Sequence, residues 1–324
     1  MNLRRTLLLA GLCCAAALPA AAQQAPWPTK PIRIVVPYGP GSSPDVLVRL
    51  FSDKVAKSLG QPVVVENKPG AGGNTGTDYV AKAAPDGYTF LVSTNGPLVY
   101  STVFNPKLPY DPFKDLAPVT LAGVQPNVCA VSNDLKVGDV KGWVAAMQKD
   151  PGKYNYSSTG VGSMSHLSVE IVKLRSNAYA VHLPYASSPL AVLAILQGDV
   201  HFACVPPVAV MPQAKAGKLK AIAVTSARRS KLAPELPTMA ESGFPDIQAL
   251  AWMAIMAPAG TPQPIIQRMN KEIVAALNEP DTQQKLATAY MESVGSTPEE
   301  LASWMREERD RWAPVIRHVG LTAN

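Results

Sequence analysis

The chain has 324 residues, too many for one modest domain and comfortable for two lobes, and its 31 prolines are scattered through turns rather than massed in a low-complexity tail. Its formal net charge is +6, yet no basic block or aromatic-basic interleaving accompanies it; Arg228, Arg229 and Lys231 form the densest cluster. Nucleic-acid binding is therefore unsupported, and the surplus mildly suits an anionic small molecule.

Residues 1–22 read as an export signal. Arg4 and Arg5 precede an apolar run that is broken by Pro19 and ends in Ala20, Ala21 and Ala22. Charged, then apolar, then small is the order of a cleaved leader, with cleavage after Ala22. The run is short for a membrane span and has no polar stop behind it. A lipid anchor would want Gly or Ala before its cysteine, whereas Leu12 and Cys13 precede Cys13 and Cys14. A soluble periplasmic protein is expected, with 28 basic residues against 24 acidic once the leader is gone.

The first strand is expected over 32–37, from IRIVV, and the first helix over 44–59. Between them Gly39, Pro40, Gly41, Ser42, Ser43 and Pro44 make one crossing of turn formers. Ser43 suits the N-cap, Pro44 the first helical position and Asp45 the first turn. Free N–H groups at such a helix start can hold a carboxylate. A second strand, 62–66, leads through ENKPGAGGNTG into a helix over 75–83. Gly70, Gly72 and Gly73 are more glycines than a plain turn needs, but the loop is neither a dinucleotide fingerprint nor a P-loop. A third strand follows over 89–94.

APVTLAGVQP, 117–126, reads as a crossing into a second unit. There strands over 127–132, 154–157, 180–183, 200–204 and 220–224 alternate with helices over 139–149, 163–174, 187–197 and 208–216. Within it YSSTGVGSMSHL, 156–167, joins a strand to a helix with more hydroxyls than one cap uses. A long apolar piece, 245–258, leads back to helices over 264–278, 281–289 and 298–318. Such alternation implies βαβ units and parallel-rich sheets flanked by helices. The expected fold class is α/β with two lobes, 23–122 plus 249–324 and 123–248, and a ligand cleft between them.

Two cysteines outlast the leader, Cys129 in NVCAV and Cys204 in HFACV. Both sit in apolar strand text, so two buried free thiols are preferred over one disulfide. Ser163 or Ser165 beside His166 raises a rival, a serine-dependent hydrolase. The pattern G-x-S-x-G is absent, however, and none of His166, His182, His201 and His318 is spaced for a metal. Neither catalysis nor a metal nor a cofactor is expected.

With these loops described, the whole chain from WPTKPIRIVVPYGPG onward resembles the solute-binding proteins of tripartite tricarboxylate transporters, the Bug family. The carriers are collinear: VVVENKPGAGGNTG, AAPDGYTFLVSTNG, LPYDPFKDLAPVTL, GSMSHL, HLPYASSPLAV, AGKLKAIAVTSARRS, LPTMAESGFP and MAPAGTP. The resemblance implies a type II periplasmic-binding-protein fold that closes on a small carboxylate, a monomer, and integral-membrane transporter subunits as partners. Carried over by position, the first-lobe wall is Tyr38, Gly39, Pro40, Gly41, Ser42, Ser43 and Asp45. Gly72, Gly73, Thr94 and Asn95 complete it. The second-lobe wall is Ser158, Thr159, Gly160, Ser163, Ser165 and His166, with Tyr185. Where the family often reads PFPPGGSTD this chain has PYGPGSSPD, so Gly39, Ser42 and Pro44 depart from it. Where the family often has Asp-Asn the chain has Cys204, Val205 and Pro206. An apolar Val205 in place of a charged or polar contact suits a dicarboxylate or aromatic carboxylate better than citrate. A sensor feeding a two-component kinase would use the same cleft.

Overall fold

The computed structural model describes residues 27–322; the expected leader, 1–22, and the first four residues of the expected first lobe lie outside them. The chain opens with β1 (Ile32–Val36), α1 (Ser43–Leu59), β2 (Val63–Asn67), α2 (Asn74–Ala81) and β3 (Thr89–Thr94). A π-helical turn, Gly96–Tyr100, runs into α3 (Ser101–Phe104), which the apolar pattern had not announced. Next come β4 (Leu116–Pro126) and β5 (Val128–Ser132), then α4 (Val140–Lys149), β6 (Asn155–Ser158), α5 (Met164–Ser176) and β7 (Val181–Pro184). They are followed by α6 (Ser188–Gln197), β8 (Phe202–Val205), α7 (Pro207–Lys215) and β9 (Leu219–Val224). The chain ends with β10 (Leu250–Pro258), α8 (Gln263–Leu277), α9 (Pro280–Thr288), β11 (Glu292–Ser293) and α10 (Pro298–Val319).

These strands form two sheets, ordered β11-β4-β10-β3-β1-β2 and β7-β6-β8-β5-β9. Each contains a parallel trio: β2, β1 and β3 in one, β7, β6 and β8 in the other. Each trio is followed by a reversed strand, β10 or β5, and then by a strand antiparallel to that one, β4 or β9. The architecture is thus two-lobed α/β. The central strands are buried on both faces and read as unbroken apolar runs, as parallel-rich sheets flanked by helices must. One apolar cluster spans both lobes, from Leu91, Trp252 and Trp312 to Trp143 and Phe202.

The lobes join at a narrow place. Only Asn127 separates β4 from β5, so the chain changes sheets there, and it returns through residues 225–249. Asn127 N–H donates to Thr225 Oγ1 at 2.9 Å, and Thr225 N–H donates to the Asn127 carbonyl at 3.0 Å. Thr225 also exchanges two bonds with Ala249, so the two crossings are tied into one strap.

The free-thiol expectation for the cysteines is corrected. Cys129 and Cys204 stand directly opposite on the antiparallel pair β5 and β8 and form a disulfide. Two apolar strands announce burial, but only their register puts the two sulfurs face to face.

Candidate ligand-binding site

The first wall grows from the loop after β1. Ser42, not Ser43, occupies the N-cap of α1, with Ser43 and Pro44 as the first helical residues. Its hydroxyl caps nothing: Ser42 Oγ is buried and without a partner. Asp45 instead organises the loop, accepting from Gly41 N–H at 2.9 Å, Arg49 Nε at 3.0 Å and Asn67 Nδ2 at 3.0 Å. Burial alone would raise this carboxyl's pKa, but those three donors and the Arg49 charge hold it below the usual value. Tyr38 is pinned against Thr94, hydroxyl to hydroxyl at 2.6 Å, and burial pushes its phenol pKa up.

The second wall is the loop between β6 and α5. Ser163 caps α5 by accepting from His166 N–H, while its own hydroxyl donates to the Gly160 carbonyl at 2.7 Å. Ser165 Oγ accepts from Thr159 N–H at 2.9 Å. Behind the loop, the rings of His166 and His182 stack with centroids 3.8 Å apart. His166 Nδ1 accepts from Gly162 N–H, and His182 Nε2 meets Ser158 Oγ at 2.6 Å. Burial lowers the two pKa values to about 4 and about 3, helped at His166 by the Lys173 charge and at His182 first by His166 and then by Lys173, which favours neutral rings at pH 7. The hydroxyls of Ser163 and Ser165 face each other at 2.7 Å and do not touch the His166 ring. The nucleophile–base hydrogen bond of a hydrolase is therefore not formed.

The lobes meet directly. Gly39 N–H donates across the gap to the Ala186 carbonyl at 3.2 Å. A Cβ on Gly160 would stand 2.4 Å from Gly72 Cα, so only glycine permits this approach. Between the walls lies a cavity of about 40 Å³. Of the expected residues it brings together Tyr38, Ser42, Ser43, Thr94 and Asn95 with Thr159, Ser163 and Ser165. Gly72, Gly73, Gly160 and Tyr185 line a neighbouring recess of about 330 Å³, which Tyr38 and Thr159 also reach. Gly39, Pro40, Gly41, Asp45, Ser158 and His166 shape the loops without lining either space, and Val205 packs in the second lobe's core.

Sequence reasoning missed part of the wall. Gln125, Asn127 and Ser188 supply polar atoms, and Met164, Pro206 and Met253 supply apolar surface. Gln125 and Asn127 are the polar alternates at the end of an apolar strand, a period-two signal that could have found them. Five of the nine buried side-chain atoms without a partner among the described residues belong to this wall: Ser42 Oγ, Gln125 Oε1, both amide atoms of Asn127 and Ser188 Oγ. The starts of α1, α5, α6 and α7 also open onto the cavity, through Ser42, Ser163, Ser188 and Pro206. No charged side chain lines it among the described residues. Four helix starts and buried neutral donors make a place that favours an anion without a countercharge.

Residues 47–321 match the model of the tripartite tricarboxylate transporter family receptor. Protein BugT of Bordetella pertussis is 38% identical over 322 residues, covering 99% of both chains. The solved structure of R. palustris Rpa4515 with adipate is 31% identical with a TM-score of 0.88, covering 91% of this chain and 99% of that one. MatC from Rhodopseudomonas palustris with bound malate is 31% identical with a TM-score of 0.85, covering 89% and 99%. The chain belongs to the tripartite tricarboxylate transporter receptor family, which consists of periplasmic solute-binding proteins and not of enzymes.

Proposed function

We propose that the protein captures a small carboxylate with an apolar middle, a dicarboxylate or aromatic carboxylate in preference to citrate, and delivers it to the membrane subunits of a tripartite tricarboxylate-type transporter. The observation that carries the reading is the cavity itself: helix starts and unpartnered polar atoms converge there with no charged side chain. Buried polar groups left unpaired are costly, so their concentration at one place points to a ligand that completes them. Met164, Pro206 and Met253 give the ligand's middle an apolar bed. The relatives solved with adipate and malate support the class without deciding the member.

A thermal-shift panel of citrate, adipate, terephthalate, phthalate and glutamate tests the ligand half. Stabilisation by one of the less polar acids is expected; stabilisation by citrate alone overturns it. Disrupting the gene should abolish uptake of the stabilising acid, and unchanged uptake overturns the delivery half.

A further inference from the structure

We infer that Asn127 reads a neutral group carrying a hydrogen-bond donor beside an acceptor, such as a carboxamide, on the hinge end of the ligand. This rests on the carboxylate reading above and narrows it from dicarboxylates to acids with a carboxylate at one end and a neutral group at Asn127.

Asn127 is 1% exposed, lines the cavity, and leaves both Nδ2 and Oδ1 without a partner. Other asparagines nearby are used. Asn95 Nδ2 donates to Tyr100 and to the Leu250 carbonyl, and Asn67 Nδ2 donates to the Tyr38 carbonyl and Asp45. Turning the Asn127 amide over exchanges its two ends and still leaves one donor and one acceptor without a partner. Gln125 is different. Its Nε2 donates to Ser43 Oγ at 2.8 Å, and if the amide is reversed the Ser43 hydroxyl donates to the oxygen instead. Gln125 therefore fixes no polarity, whereas Asn127 does.

A carboxylate has acceptors only. Placed against Asn127 it satisfies the Nδ2 side and leaves Oδ1 buried against another oxygen, which costs binding energy. A carboxamide lying edge to edge with the Asn127 amide makes two bonds, one in each direction, and leaves nothing unpaired. The main chain of Asn127 is tied to Thr225 in the hinge strap, so the root of its side chain is held where the chain crosses between the lobes.

The test is calorimetric titration of the full mature chain with two matched pairs: adipate against its half-amide adipamate, and terephthalate against 4-carbamoylbenzoate. The half-amide is expected to bind at least tenfold tighter in at least one pair. Asn127→Leu should erase that preference. The isosteric Asn127→Asp, which keeps the fold if Leu does not, should weaken both members and the dicarboxylate more. Dicarboxylates binding as well as or better than their half-amides in both pairs would overturn the inference and leave the carboxylate reading standing. A preference that survives Asn127→Leu, or one that Asn127→Asp fails to widen, would overturn it equally. If none of the four compounds binds, the carboxylate reading falls and the inference with it.

Discussion

Asp45 shows how one side chain can serve the site without facing it. Its carboxylate collects Gly41, Arg49 and Asn67 and so sets the shape of the loop that presents Ser42 and Ser43. Asp45→Asn keeps the volume but loses the charge that Arg49 and Gly41 N–H answer. It should cost about 1–3 kcal/mol in urea denaturation and weaken ligand binding as the loop relaxes. Much of this loop was legible residue by residue, because Gly, Ser, Pro and Asp at a strand-to-helix crossing each have a mechanical meaning. The cap itself lies one residue earlier than Ser43 suggested. Gln125, Asn127 and Ser188 stayed hidden, because their partners come from other elements and only the closed fold shows that those partners are absent.

At the scale of elements, the alternation of apolar runs and helical spacing was a sufficient guide. All nine helices expected from the sequence are found with ends within two residues, since each is flanked by Pro, Gly or a hydroxyl. What periodicity does not carry is register, and both surprises in the second lobe are register effects. The Cys129–Cys204 bond closes a span of 75 residues. Replacing both cysteines by Ala should remove about 4 kcal/mol of stability on the loop-entropy model, measured under non-reducing conditions. The stacked pair His166 and His182 brings α5 and β7 together behind the binding loop. An unfolded histidine titrates near 6.5, whereas these hold out to about 4 and about 3. Their neutral forms are thus fully compatible with folding above about pH 6.5. As pH falls below that, protons bind the unfolded chain first and stability declines, by about 1.4 kcal/mol per pH unit for each histidine. Denaturation at pH 7, 5.5 and 4.5 should show this slope, and His182→Phe should remove about half of it, leaving the His166 share.

At the scale of the whole molecule, closure depends on backbone reaching backbone. Gly72 and Gly160 touch where the lobes meet, and neither tolerates a side chain there. Gly160→Ala should leave each lobe folded, hold the lobes apart, and weaken the preferred acid more than tenfold. Small-angle scattering with saturating ligand should then report an unclosed particle, where the parent chain contracts about the strap at Asn127, Thr225 and Ala249. The two sheets share one strand pattern, but the chain enters them differently. The second is built from the unbroken stretch between Val128 and Val224, whereas the first waits for β10, α8 and α10 near the carboxyl end. A chain threaded amino-end first into its compartment therefore has everything its inner lobe needs, including both halves of its covalent bond, before the outer lobe can be finished. Assembly should run from the middle outward, with the last helix sealing the molecule.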